Sequence, residues 1–445
     1  MLKQLSITLL CLCVPLCMLG QERHARTLDE CIGMALERNL SVRKQELAMD
    51  RAELALSEKK WSFAPSLRFS STYTMSTGRV LDPTTYQFVE TSYTGNNSSS
   101  LSGDVTLYEG GRKLLAFERA KLSLLETALK DESLKQNLTL KVIAAYMDAL
   151  CSEEQVKIAE ETAASVKVQF ERSKALLEAG SITESDLLQL QSQMFSARND
   201  ISSAKNSHEM AMISLCDLLE VDDYGGFEIV PPESMEDAYP LINLSDAVEN
   251  HPDYRSSLLA EKAAEMDSRI AKAALSPRLS LSAGYGSSFS DARKKAEQNY
   301  DGTFKYEAYP FFDQYMDNAS AYASVSLSIP ILTGLSARNE VKRAGMAARE
   351  AQLSTVELSK QLRKEILQAQ IDCRTALEQY LRAVEEVKYA EEAQRQLTEK
   401  YNLGTTDYIS WNNALVELAK AKYRLAESKY TYCFKKEMLN IYIHD

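Results

Sequence analysis

The sequence predicts a mainly α-helical chain with a small transmembrane β part, made of long coiled-coil helical hairpins and four β-strands. Three observations predict it. Four short segments alternate apolar and polar residues, two long stretches carry apolar residues at steps of three and four, and the second half of the chain repeats the first at a fixed spacing.

The chain opens with "MLKQLSITLLCLCVPLCMLGQE", in which Lys3 precedes an apolar run from about Leu5 to Leu19 and a small residue, Gly20. That is an export signal over residues 1–20. A helical membrane span needs roughly 20 apolar residues, and no stretch after Gln21 comes near that. Cys11, Cys13 and Cys17 offer a lipid-anchored N-terminus as the alternative, although each follows Leu where such signals take a small residue.

Composition narrows the function classes. The 445 residues include 16 Gly and 10 Pro, and 26% are charged, a balance that favours long helices. A net charge of -12, with Lys and Arg interspersed among Glu, argues against nucleic acid as a partner. The cysteines beyond the signal, Cys31, Cys151, Cys216, Cys373 and Cys433, are odd in number and widely spaced, so they read as small core residues. His24, His208, His251 and His444 are scattered, and no phosphate-binding glycine loop occurs. The expectation is therefore no catalytic site, no cofactor and no metal.

The internal repeat organises the rest. Gly110 and Gly334 stand 224 positions apart, as do Gly180 and Gly404, Leu129 and Leu353, Asp148 and Asp372, and Leu215 and Leu439. Upstream, Pro65 and Pro277, and Tyr73 and Tyr285, are related by 212. The first repeat spans 21–221 and the second 244–445. Between them, 222–243 is rich in Gly, Pro and acids and should form a mixed belt whose partners lie near Leu28.

Each repeat reads helix, strand, loop, strand, helix, helix. A helix from about Val42 to Phe63 stops before Pro65, where proline removes a donor and restricts its predecessor. The first strand, about 66–74, puts Leu67, Phe69, Ser71 and Tyr73 on one face. The second, about 99–108, sets Leu101, Gly103, Val105 and Leu107 against Ser100, Ser102, Asp104 and Thr106. Their duplicates are about 278–286, with Leu279, Leu281, Ala283 and Tyr285, and about 322–331, with Val325, Leu327, Ile329 and Ile331 against Ser324, Ser326 and Ser328. The expected lipid-facing set is Leu101, Val105, Leu107, Val325, Leu327, Ile329 and Ile331. In lipid an open sheet edge is not tolerated, and single-chain membrane barrels need about eight strands. Four strands per chain therefore require several chains. A small soluble sheet packed on its own helices would alternate in the same way and is the plainer reading.

The helical stretches carry a seam, Leu138, Val142, Ala145 and Ala149, and in the duplicate Leu362, Ile366, Ala369 and Cys373. From Arg112 to Ala179 the helix would run about 100 Å before turning at Gly180. The return helix from Ile182 covers roughly 57 Å and the helix before the first strand roughly 33 Å. Two short helices stacked end to end would match one long one.

Together these features resemble the TolC family of outer-membrane efflux proteins, across essentially the whole mature chain. The matching motifs are the strand-to-helix junctions "LYEGGR" and "ILTG", the "AP" and "SP" helix ends, and the hairpin turns "LLEAGSITESDLL" and "KYNLGTTDYISW". The resemblance implies a homotrimer in the outer membrane, with strands from three chains closing a 12-stranded β-barrel that continues as a helical tunnel across the periplasm. It implies an exit duct for tripartite efflux or type I secretion, with a periplasmic adaptor (membrane fusion) protein and an inner-membrane pump or ABC transporter as partners. A periplasmic coiled-coil scaffold without a pore is the alternative; it accounts for the heptads but not for the paired strands.

The resemblance also implies a gate at the hairpin tips, where Tyr401, three residues before Gly404, reaches Asp186, six residues after Gly180. Thr406 stands where the family often carries Arg, and Ser410 and Asn413 stand where it carries aspartates. The duller reading makes Gly180 and Gly404 helix terminators and Asp186 and Asp407 helix-start charges. Tyr408 and Trp411 are buried or adaptor-facing. The aromatic loop from Phe289 to Asn318 either covers part of the outer mouth or lies at the lipid–water boundary.

Overall fold

The computed structural model describes residues 25–81, 88–178, 180, 182–222, 224–231 and 242–444. The export signal and the middle of the expected belt lie outside the described residues. In chain order the elements are α1 (Leu28–Arg38), α2 (Leu40–Trp61), β1 (Ser66–Leu81), β2 (Phe88–Glu109), α3 (Arg112–Glu178), α4 (Glu184–Leu218), α5 (Leu244–Asn250), α6 (Pro252–Ala273), β3 (Arg278–Ser290), β4 (Lys294–Gln298), β5 (Phe304–Ala308), α7 (Phe311–Asp317), β6 (Ser320–Ser328), α8 (Ser336–Asn402) and α9 (Tyr408–His444). The repeat spacing reappears in the element bounds. Helices α3 and α8 are both 67 residues long and begin at Arg112 and Ser336, 224 apart; α2 and α6 are both 22 residues long and begin 212 apart.

The chain divides into two compact units: one takes the residues up to Arg43, Leu134–Ala247 and Arg363–Asp445, the other Lys44–Ser133 and Val248–Leu362. The first unit is helical. Val142, Tyr146 and Leu150 on α3 pack with Cys31 and Ala35 of α1, Leu215 of α4 and Tyr430 of α9. On α8, Ile366, Ala369, Cys373, Ala376, Ala383 and Val387 are buried, at steps of three, four and seven, which is the spacing of a heptad seam. The small side chains on it let helices approach closely, and Ala369, Cys373 and Ala376 pack with Tyr432 and Leu439 of α9. The five cysteines among the described residues are free, and all but the half-buried Cys151 are buried.

The belt begins where Arg26 pairs with Ile229 in an isolated parallel bridge. The Arg26 N–H donates to Glu228 (2.7 Å) and the Val230 N–H donates to Arg26 (3.1 Å). Tyr146, fully buried, holds this junction from beneath. Its hydroxyl lies within reach of the carbonyls of Val230 (2.5 Å) and Arg26 (3.0 Å) and accepts from the Val230 N–H (3.2 Å). Burial pushes the phenol up to about 12, so it is a hydrogen-bond donor at any physiological pH. Tyr146→Phe should destabilise this unit by about 1–3 kcal/mol, because it strips a donor from buried carbonyls. Thermal unfolding followed by circular dichroism checks it; an unchanged midpoint would show that water replaces the hydroxyl.

The second unit holds a four-stranded antiparallel sheet in the order β1-β2-β3-β6. Helix α2 ends at Trp61 ahead of Pro65, and β1 follows at once. Strands β1 and β2 run further than their apolar alternation, pairing as far as Leu81 with Phe88. Alternation marks only the part with one greasy face, and a hairpin wetted on both faces needs none. On β6 the reverse happens. The strand ends at Ser328, so Ile329 and Ile331 are not strand residues as expected. Pro330 has no N–H to give a ladder and restricts the residue before it. The loop after β3 adds the β4–β5 hairpin and α7, which the sequence pattern did not predict. Below the sheet, Arg119 of α3 pairs with Asp267 of α6 at 3.3 Å, and the Thr355 hydroxyl of α8 lies 3.3 Å from the Ser257 carbonyl of α6.

Candidate functional site

Register decides what each face of the sheet presents. Phe69 pairs with Leu101, Leu101 with Tyr285, Val105 with Leu281, Leu281 with Val325, and Leu279 with Leu327. Residues directly opposite share a face, so these side chains form one apolar surface. Among the described residues nothing covers most of it: Phe69 is 70% exposed, Val325 66% and Leu327 62%. The other face pairs Ser70 with Ser100, Asp104 with Ser282, Ser282 with Ser324, and Ser280 with Ser326. It is a wall of hydroxyls, with Tyr322 laid over Gly284 so closely that a Cβ added there would sit 2.5 Å from the ring. The Ser66 hydroxyl donates to Asp104 (2.8 Å), and Arg278 donates to the Thr106 hydroxyl (3.3 Å). Leu107 falls in a bulge, because the register slips between Thr106 and Tyr108 and it is Tyr108 that pairs with Leu279. A bulge leaves one residue unpaired and sharpens the local twist.

The second candidate site, in the other unit, is where the helical hairpins turn. Gly180 and Gly404 have φ of +70° and +68°, the left-handed conformation that glycine takes without penalty. At the second turn the Thr405 N–H donates to Lys400 and the Gly404 N–H to Tyr401, closing the last turn of α8 in a Schellman motif. The next helices start differently. Thr183 caps α4: its hydroxyl accepts from the Asp186 N–H, and Asp186 Oδ2 accepts from the Thr183 N–H (3.1 Å) and hydroxyl (2.8 Å). Asp407 stands at the start of α9, its Oδ1 accepting from the Ser410 N–H at 3.0 Å. Hydrogen bonds from the Ser410 hydroxyl and N–H hold the Asp407 carboxyl below its usual range.

Tyr401 is buried in a cluster drawn from four helices, with Val166, Leu190, Tyr408, Trp411 and Leu415. Its ring stacks on Trp411 at 5.9 Å, Trp411 donates Nε1–H to Thr398 (3.2 Å), and its hydroxyl lies 3.5 Å from that of Ser173. Within the chain, Tyr401 and Asp186 thus stand in two separate arrangements. Asp186 meets its own helix cap three residues away, which closes almost no loop, whereas reaching Tyr401 requires a second hairpin. Thr406 is half-buried in the turn; Ser410 and Asn413 are exposed on the first turns of α9. A feature that sequence reasoning missed is a group of buried amide atoms with no hydrogen-bond partner among the described residues: Gln169 Nε2, Gln394 Oε1, Asn402 Oδ1 and Asn412 Oδ1, all on the helix ends near the two turns.

The family described as outer membrane efflux protein matches residues 31–219 and 243–437, most of each repeat. The chain belongs to that family. Its members place it in the outer membrane with a periplasmic extension, and the family and fold are those of channels. Among relatives, it is 23% identical over 273 residues to protein CyaE of Bordetella pertussis, covering 59% of this chain and 53% of that one. It is 28% identical over 199 residues to the alkaline protease secretion protein AprF of Pseudomonas aeruginosa, covering 42% and 40%. The chain thus spans about half the length of the curated relatives it matches. The CmeC outer membrane channel of Campylobacter jejuni has the same fold, with a TM-score of 0.79 over 93% of this chain and 85% of that one at 17% identity.

Two outcomes follow for the tips. Because the Asp407 carboxyl is held low in the folded state, its contribution to the start of α9 is present at neutral pH. It is lost as pH falls below the ordinary aspartate value of about 3.9 and through the lower folded value. Hydrogen exchange, taken relative to the intrinsic rate at each pH, should accordingly show weaker protection at Tyr408–Trp411 in acid and in Asp407→Ala at neutral pH, but little change in Asp407→Asn, which keeps a capping oxygen. Secondly, Asp186→Ala and Tyr401→Phe should have additive effects on the thermal midpoint, since they remove contacts with no common partner. Sub-additivity would restore the direct contact between them.

Proposed function

We propose that the chain is one protomer of a trimeric outer-membrane exit duct serving a tripartite efflux or type I secretion system. The observation that carries this reading is the open sheet. It ends at β1 on one side and β6 on the other, with one apolar and one hydroxyl face. In lipid, unpaired edges must be closed, and three copies of four strands reach the number at which a barrel encloses a channel. Leu101, Val105, Val325 and Leu327 then face lipid, and the serines line the lumen.

Two features of the helical unit support assembly. Beside its buried seam, α8 exposes Leu367, Ile371, Leu381 and Val384, a second apolar stripe at near-heptad spacing that neighbouring copies would cover. The orphaned amides at the tips are groups that a second copy or an adaptor would satisfy, because buried polar atoms are normally paired. The partners of such a duct are a periplasmic adaptor and an inner-membrane transporter. AprF is named for secretion of a protease, which favours a secretion system over a drug pump as the route served. A pore-free coiled-coil scaffold has no use for a sheet with an exposed apolar face.

The detergent-solubilised protein should have a mass near three chains. Leu327→Arg should block membrane assembly, since a mid-bilayer Arg costs about 2–4 kcal/mol in such barrels. Ser326→Arg, one position along and on the other face, should assemble and lower single-channel conductance in planar bilayers. A soluble monomer, or equal tolerance of both substitutions, would overturn the duct.

A further inference from the structure

The short helix α7, in the loop between β3 and β6, is fastened to the sheet by a set of contacts that all reach one face. Phe289 packs its ring on Phe311 at 4.9 Å, the Tyr315 hydroxyl donates to Asn97 Oδ1 at 2.8 Å, and the Ser287 hydroxyl donates to the Tyr315 carbonyl at 2.6 Å. Asn97 pairs with Phe289 and Ser99 with Ser287, in unbroken register with Leu101–Tyr285 and Val105–Leu281. These side chains therefore continue the apolar face, not the hydroxyl face. Gln314, fully buried, locks the helix down: its amide donates to the carbonyls of Ser290 (2.9 Å) and Tyr309 (3.1 Å) and accepts from the Ser290 N–H (3.0 Å). The fastening is fully paired, and a loop free to swing over the mouth would not need it.

Two large apolar side chains are left over. Phe312 and Met316, at i and i+4 on one side of α7, are 79% and 76% exposed. Their height along the sheet says what meets them. Leu279, at the inner end of the apolar surface, lies ten residues before Phe289 on β3. That is about 34 Å at 3.4 Å per residue, or about 26 Å of height at a strand tilt of about 40°. The apolar band of such barrels is about 25 Å tall and ends in a girdle of aromatic residues.

We propose that α7 is an in-plane anchor in the outer leaflet, with Phe312 and Met316 inserted at the boundary between headgroups and acyl chains. Helix α7 is thereby held against the outside of the barrel wall. The inference rests on the reading above that Leu101, Val105, Val325 and Leu327 face lipid, and it adds a lipid contact outside the strands.

The test uses the full-length trimer in phosphatidylcholine vesicles carrying nitroxide lipids, with an environment-sensitive fluorophore on a single introduced cysteine. With Cys11, Cys13 and Cys17 changed to Ser and Cys151 to Ala, the remaining cysteines, Cys31, Cys216, Cys373 and Cys433, are buried. Probes at Phe312→Cys and Met316→Cys should lose fluorescence to a nitroxide near the headgroup more than to one near the chain ends. A probe at Val325→Cys should show the opposite order, and one at Ser324→Cys should respond only to aqueous iodide. If the Val325 probe is quenched from within the lipid while both α7 probes respond to iodide alone, or to nothing, α7 lies in water or against protein and this inference falls by itself. Stronger quenching of the α7 probes by the deep nitroxide would sink it too. A Val325 probe untouched by either nitroxide would overturn the lipid-face reading and α7 with it.

Discussion

A backbone N–H or C=O without a partner cannot be left in hydrocarbon, and most of what is particular to this chain follows from that. Four antiparallel strands satisfy one another internally but leave β1 and β6 each with a free side. The same condition explains where the sheet stops. Pro330, which has no N–H to contribute, stands just beyond the end of β6. It also explains why the two faces are so unlike. If other copies close the ladder as proposed, the outside has only to be apolar and the inside only wettable, and serine and glycine serve the inside with little bulk.

The helical unit answers a different condition, the pairing of polar groups at helix ends. Here local partners win. Asp186 is claimed by Thr183 and the Asp407 carboxylate by Ser410, both three residues away. What the local chain cannot satisfy is left on buried amides close to the turns, Gln169, Gln394, Asn402 and Asn412. Aromatic stacking of Tyr401 on Trp411 joins the end of α8 to the start of α9 through uncharged groups.

Much of this was legible in the sequence, and the reasons are physical. Helices α3 and α8 were readable because a seam at steps of three and four runs through stretches free of proline, bounded by glycines at one spacing. The apolar face of the sheet was readable because alternation has a period of two. The end of β6 was misread because Ile329 and Ile331 prolong the alternation past a proline that cannot pair. The outer halves of β1 and β2 carry no alternation because nothing there separates oil from water. Helix α7 and the β4–β5 hairpin fall where the repeat register changes from 212 to 224, so neither period nor duplication announced them. The role of Asp186 was open between gate and helix start; its T-x-x-D spacing from Thr183 was the signal for the second.

The equal lengths of α3 and α8 have a consequence for how such a chain can change. Each residue of an α-helix advances the side-chain direction by about 100°. Removing one residue from the middle of α8 would rotate everything beyond it by that angle, turning Ala383, Val387 and Tyr401 away from the neighbours they are buried against. Adding seven would restore the phase but push the turn at Gly404 out of level with the turn at Gly180 by about 10 Å. Size in this molecule is thus quantised: it can grow or shrink only by whole heptads, and only in both repeats at once.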